Sequence, residues 1–127
     1  MATGWGIVGL GGWADRYSTP AVRQAKDTKL VGVVSRDKAK AQQFATYHGA
    51  QHAYDRLDDL LNNKEVDVVY VLTPNNLHAE TAIPAMAKGK HVLVGSAMAV
   101  TEEDCIAIVE AGKKHNVRLG TDFQTRF

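Results

Sequence analysis

Apolar positions along the chain fall into two alternating kinds of segment. Short β-rich runs, "WGIVG" at 5–9, "LVGVVS" at 30–35 and "VDVVYVL" at 66–72, read as strands. Weaker runs at 51–54, 91–94 and 117–121 bring the set to six. The runs are continuous rather than alternating, the pattern of strands covered on both faces. The segments between them carry helical spacing. Ala41, Phe44, Ala45 and His48 fall at i, i+3, i+4 and i+7, and so do Cys105, Ile108, Val109 and Gly112. Leu57, Leu60 and Leu61 form a shorter stripe. Thr101 with Asp104 resembles a capping box, and Gly49 and Gly89 stand where helices should stop. Pro84 falls inside the helix after Asn76, which predicts a kink or a late start. Strands alternating with helices predict an α/β fold, a doubly wound parallel sheet with right-handed crossovers and strand order 3-2-1-4-5-6.

The first strand runs into "GIVGLGGWA", where Gly9, Gly11 and Ala14 make a G-x-G-x-x-A pattern. Gly9 permits a tight turn, Gly11 lets the backbone approach a pyrophosphate, and Ala14 lets the helix pack close to the strand. Gly12 and Trp13 complete the turn, and free N–H groups at the helix start would face the anion. A ligand-free glycine turn is the bland alternative; its place between a first strand and a first helix favours dinucleotide binding. At the end of the second strand an NAD site calls for Asp or Glu, but this chain has Ser35 followed by Arg36. Both suit a 2′-phosphate, and Lys40 one turn later adds charge, so NADP(H) is favoured over NAD(H). Asp37, beside Arg36, would offset part of that preference.

Composition adds limits. The 127 residues suffice for a single domain with a core of its own. A net charge of +1 points to neither nucleic acid nor an acidic membrane surface. The apolar runs are too short to span a bilayer, and the N-terminus lacks the marks of a signal peptide. Cys105 is the single cysteine, so no intrachain disulfide can form, and a reducing cytoplasm is the default location. His48 and His52 have no cysteine pair to complete a zinc site. Cys105 reads as a packing residue on its helix stripe. Packing is also the default for Trp5 and Trp13, although Trp13 is close enough in sequence to the glycine turn to meet a pyrophosphate.

With these residues assembled, the chain resembles, essentially end to end, the nucleotide-binding Rossmann domain of the glucose–fructose oxidoreductase, inositol dehydrogenase and rhizopine-catabolism family (Gfo/Idh/MocA). "GIVGLGGWA", "VVSRDKAKAQQFA", "VDVVYVLTPNNLHAETAIPAMAKGKHVLV" and "GTDFQTRF" carry the likeness, the third most specifically. The resemblance implies a sugar or polyol oxidoreductase that moves a hydride to or from nicotinamide. It also makes Thr73, Pro74, Asn75 and His78 cofactor contacts. Without it, Thr73 to Asn76 is a turn before a helix, and His78 reads as a histidine on the helix surface.

Two departures from the family stand out. After the fifth strand the family shows Glu-Lys-Pro, whose lysine assists proton transfer; this chain has Gly95-Ser96-Ala97, with Ser96 in the lysine's place. A serine is a poor general acid or base without an activating partner, so no catalytic residue is assigned. Family members also continue into an α+β substrate domain, whereas this sequence stops at Phe127. The expectation is one dinucleotide-binding domain over 1–127, not competent for turnover by itself. Surface near Phe123 and Phe127, left by the missing domain, would then promote self-association. The competing expectation is a structural or interaction module that kept the fold and lost turnover.

Overall fold

The computed structural model describes residues 2–95 and 97–122. Strands β1 (Thr3–Val8), β2 (Thr28–Val34), β3 (His52–Tyr54), β4 (Val68–Val71), β5 (His91–Val94) and β6 (Leu119–Thr121) form one sheet. Every pairing is parallel, and the order is β3-β2-β1-β4-β5-β6, as expected. The helices are α1 (Thr19–Gln24), α2 (Lys38–His48), α3 (Leu57–Leu61), α4 (His78–Ala87) and α5 (Glu102–Lys114).

The strand β4 is shorter than its apolar run, and Asp67 at its entry serves as a clamp. The Asp67 N–H donates to the Gly4 carbonyl (2.8 Å), and its carboxylate accepts from the Gly4 N–H (2.8 Å). Its carbonyl accepts from the His91 N–H at 2.9 Å, so one residue aligns the entries of β1, β4 and β5. At the far edge, Val117 closes the end of α5 by donating to Gly112 (3.1 Å), and β6 starts only at Leu119.

Two cores sandwich the sheet. Ile7, Leu30, Val33 and Tyr70 pack with Val22 of α1 and Ala41, Phe44 and Ala45 of α2. Val31, Val69, Val71, Val92 and Val94 pack with Leu60 and Leu61 of α3, Ala82, Ala85 and Met86 of α4, and Ile108 and Ala111 of α5. The caps read from sequence hold: the Thr101 hydroxyl accepts from the Asp104 N–H (3.1 Å), and Gly49 ends α2 in the left-handed region at φ 77°. Helix α4 neither stops nor restarts at Pro84; a 3₁₀ turn at Asn75–Leu77 leads into it instead. On α5 the buried residues are Ile108, Ala111 and Gly112, whereas Cys105 is half-buried and Val109 exposed. The helix covers the sheet's edge, so its buried stripe is narrower and rotated from the expected one. Burial along β5 also alternates, with Leu93 facing a groove of about 380 Å³ shared with Trp5 and Tyr70. Among the described residues no helix is long and apolar enough to cross a membrane.

Candidate functional site

The glycine turn leaves β1 at its carboxyl end, where a parallel sheet opens its ligand crevice. Gly9 has φ 97°, and a Cβ there would stand 2.5–2.6 Å from the backbone of Leu72 and Thr73. Only glycine allows both the turn and this approach to the end of β4. Around Gly11 and Gly12 nothing lies within 4 Å of where a Cβ would be, so the turn presents bare backbone to an open face. The helix begins at Gly12, and its first bond runs from the Asp15 N–H to the Gly11 carbonyl (3.0 Å). The N–H groups of Gly12, Trp13 and Ala14 precede that bond and remain the donors of a helix start. Ala14 is 1 % exposed and packs beneath the turn, as its place in the motif requires.

The helix then widens into a π-helical turn at Ala14–Ser18 before α1. Pro20 explains it: proline lacks an N–H and its ring crowds the carbonyl four residues back, that of Arg16. The wider turn holds Trp13 47 % exposed and Tyr17 outward, with ring centroids 4.5 Å apart. Trp13 is therefore a wall residue of the crevice rather than a core residue. Trp5, half-buried, packs on Tyr70 at 6.1 Å. Flanking the turn, Asp15 pairs with the buried His48 (2.8 Å).

Two cavities lie to either side. A groove of about 580 Å³ joins Gly9, Ser35 and Arg36 to Thr73, Pro74 and Thr81, with Asp55 and Glu80 also on its walls. The Ser35 N–H donates to Tyr54 (3.1 Å), and its hydroxyl accepts from the Asp37 N–H (3.2 Å). Arg36 is exposed. The Asp37 carboxylate caps α2, accepting from Ala39 (3.0 Å) and Lys40 (3.3 Å), and among the described residues it makes no ion pair with Arg36. Lys40 does not join Ser35 and Arg36; it lines a separate hollow with Gly11, Gly12 and Asp15.

The second cavity, about 230 Å³, lies across the ends of β4, β5 and β6. Its walls are Trp13, Leu72, Thr73, Asn75, His78, Gly95 and Asp122. Thr73 borders both cavities, and its hydroxyl is buried without a protein partner among the described residues. The surface reading of His78 is wrong: the residue is 1 % exposed. Its Nε2 faces the Thr73 carbonyl (2.8 Å), and Nδ1 faces those of Ala97 (2.9 Å) and Met98 (3.2 Å). The ring thus braces the loop after β4 against the loop after β5.

Asp122 was not singled out from sequence. Its N–H donates to the Val94 carbonyl (2.8 Å), and its carboxylate accepts from the Tyr70 hydroxyl. Burial first, and the Asp122 carboxylate next, push the Tyr70 phenol up to about 12. Ser96, Phe123 and Phe127 lie outside the described residues. Ala97 is described, and its φ is 59°. Proline, fixed near −65°, cannot take that conformation. The departure from Glu-Lys-Pro is therefore one of backbone as well as side chain.

A bare glycine turn at a helix start, with a cavity on either side at the carboxyl ends of a doubly wound sheet, defines a dinucleotide-binding domain. The orphaned Thr73 hydroxyl and the open face over Gly11 and Gly12 fit such a ligand. The chain belongs to the Gfo/Idh/MocA oxidoreductase family, NAD-binding Rossmann fold, whose model matches residues 3–123. It is 33% identical over 121 residues to the scyllo-inositol 2-dehydrogenase (NADP(+)) of Bacillus subtilis, covering 95% of this chain and 37% of that protein. It is 33% identical over 122 residues to the 1,5-anhydro-D-fructose reductase of Ensifer adhaerens, covering 96% and 36%. The 3-ketoreductase from Actinomadura kijaniata, solved with NADP, superposes with a TM-score of 0.92 at 26% identity, over 97% of this chain and 39% of that one. The chain thus spans little more than a third of the length of these relatives.

Proposed function

We propose that this domain prefers NADP(H) and that it serves an oxidoreductase acting on a sugar or polyol. The observation that carries the preference is the division of labour between Asp37 and Arg36. Asp37 was the residue able to cancel Arg36, but its carboxylate is committed to the first turn of α2. Arg36 and the Ser35 hydroxyl are left at the mouth of a groove that reaches the glycine turn. No carboxylate stands at the end of β2, where one would accept from a ribose 2′-hydroxyl and repel a phosphate. Asp55, next to the Tyr54 that bonds Ser35, and Glu80 also line the groove and reduce the preference.

Gly9, Gly11, Gly12, Trp13 and Ala14 form the pyrophosphate seat in this reading. Lys40 acts there rather than at the 2′-phosphate, from the flank of the turn. Thr73, Pro74 and Asn75 follow the ligand from one cavity to the other. His78 acts through them, by bracing their loop. The bound nicotinamide would accept or donate the hydride; the chain's residues bind it, orient it and hold its surroundings. Two relatives named for inositol and anhydrofructose chemistry support the substrate class.

The test is titration of the 127-residue chain with NADPH and NADH, beside Arg36→Ala. A net gain of one charge-assisted hydrogen bond, at about 1.5–3 kcal/mol, predicts NADPH tighter by about ten- to a hundredfold. Most of that gap should close in the variant. Equal affinities in the wild type would refute the preference.

A further inference from the structure

The crevice carries Arg36 on the walls of one end and Asp122 on the walls of the other. We propose that Asp122 biases the β4–β6 end toward the oxidised, positively charged nicotinamide ring. The inference rests on the reading above. A dinucleotide laid over the glycine turn with its 2′-phosphate at Ser35 and Arg36 extends its other half toward Trp13, Thr73 and Gly95.

Asp122 is held there by two bonds of its own, on a strand end that the neighbouring Gly95 bond helps to align. The Gly95 N–H donates to Val71 (2.9 Å) and the Asp122 N–H to Val94 (2.8 Å), which sets the ends of β4, β5 and β6 abreast. The Tyr70 hydroxyl, 52 residues away in sequence, donates to the carboxylate and fixes its direction. Ser18, in the π-helical turn, contacts the same phenol oxygen at 3.5 Å. With its phenol pushed up to about 12, Tyr70 remains a hydrogen-bond donor throughout the neutral range.

The described residues around this cavity include no lysine or arginine to cancel the charge. His78, the other titratable group on its walls, turns both ring nitrogens to backbone carbonyls. The family pattern puts a lysine on the β5 loop, and this chain puts Ser96 there. A carboxylate in a partly enclosed cavity attracts a cationic ring and is indifferent to a neutral one. Oxidised and reduced cofactor share their adenosine, phosphates and ribose, so the ratio of their affinities isolates the ring.

The experiment measures Kd for NADP+ and for NADPH with the wild-type chain and Asp122→Asn, by calorimetry, after circular dichroism has confirmed folding. The expected result is that NADP+ binding weakens by about three- to tenfold relative to NADPH binding in the variant. Raising salt from about 0.02 to 0.3 M should shrink the ratio in the wild type and leave it flat in the variant. If Asp122→Asn does not fold, the salt dependence of the wild-type ratio and Tyr70→Phe, which keeps the carboxylate, serve instead. Both must then show the oxidised form favoured. A ratio unmoved by the substitution, or by salt in the wild type, overturns the proposal. Failure of the wild type to bind either form at millimolar concentration would overturn the underlying reading, and the inference with it.

Discussion

Replacing His78 by phenylalanine tests the brace between the loops after β4 and β5. Phenylalanine keeps the ring's bulk at a site that is 1 % exposed, so no large cavity opens. What it removes is the pair of nitrogen contacts, 2.8 Å to Thr73 and 2.9 Å to Ala97. An imidazole with a single N–H satisfies one carbonyl at a time. The loss is therefore one full hydrogen bond, about 1 kcal/mol, plus the cost of leaving a partly buried carbonyl unpaired, about 1–2 kcal/mol. The sum, about 2–3 kcal/mol, is a large share of the 5–15 kcal/mol typical of a domain. With a urea m-value of about 2 kcal/mol/M the unfolding midpoint should fall by about 1–1.5 M. His78→Ala should fall further, because it adds a cavity. The functional signature is separable from stability. Under conditions where the variant is fully folded, NADPH should bind more weakly. An adenosine-half probe such as 2′,5′-ADP should weaken less, because its groove shares only Thr73 and Pro74 with the braced loop. A phenylalanine variant with the wild-type midpoint would refute the brace, and so would equal weakening of both ligands.

Two further outcomes follow from Tyr70 and Ala97. The Tyr70 pKa is raised in the fold from 10.0 to about 12, so its contribution is complete below pH 10 and is lost as pH climbs to 12. Two units correspond to about 2–3 kcal/mol, and Tyr70→Phe should flatten the decline measured by denaturation at pH 9 and pH 12. Lys90 acts with the opposite sign, since burial lowers its pKa and its contribution grows as pH rises toward 10.5; comparing the two chains cancels it. Ala97→Pro should destabilise by about 2 kcal/mol or more, and Ala97→Gly should be neutral or stabilising by up to about 1 kcal/mol, because φ 59° forbids proline and favours glycine. A stable proline variant would show that the loop adopts another backbone.

The sheet order was legible because it depends on local signals repeated six times: apolar runs, helical stripes, Gly49 and Gly89 as stops. The glycine turn was legible for the same reason, since Gly9, Gly11 and Ala14 act within six residues of one another. The residues misread or passed over act at a distance. Burial of His78 is decided by the loop after β5, about twenty residues on, which supplies two of its carbonyl contacts. Asp122 looked like one acidic residue near the end of the sequence until the fold set it beside Tyr70 and Gly95. Cys105 and Val109 had the right period on α5, but period fixes only the spacing of a stripe. The helix's seat on the sheet edge fixes its direction.

The positions that depart from the family pattern are coupled through this geometry. Gly95 is buried, and a Cβ on it would lie 3.3 Å from both the Leu72 side chain and the Val71 carbonyl, so the β5 loop sits tightly on β4. Ala97 then turns into the left-handed region, which costs about 1–2 kcal/mol for a residue with a Cβ. Its carbonyl meets His78 there, and the hydrogen bond offsets part of that cost. A change to Glu-Lys-Pro would break this arrangement at both ends, by crowding at 95 and by φ at 97. Gly95, Ala97 and His78 therefore form one unit, and a substitution at any of them is to be judged by its effect on the other two.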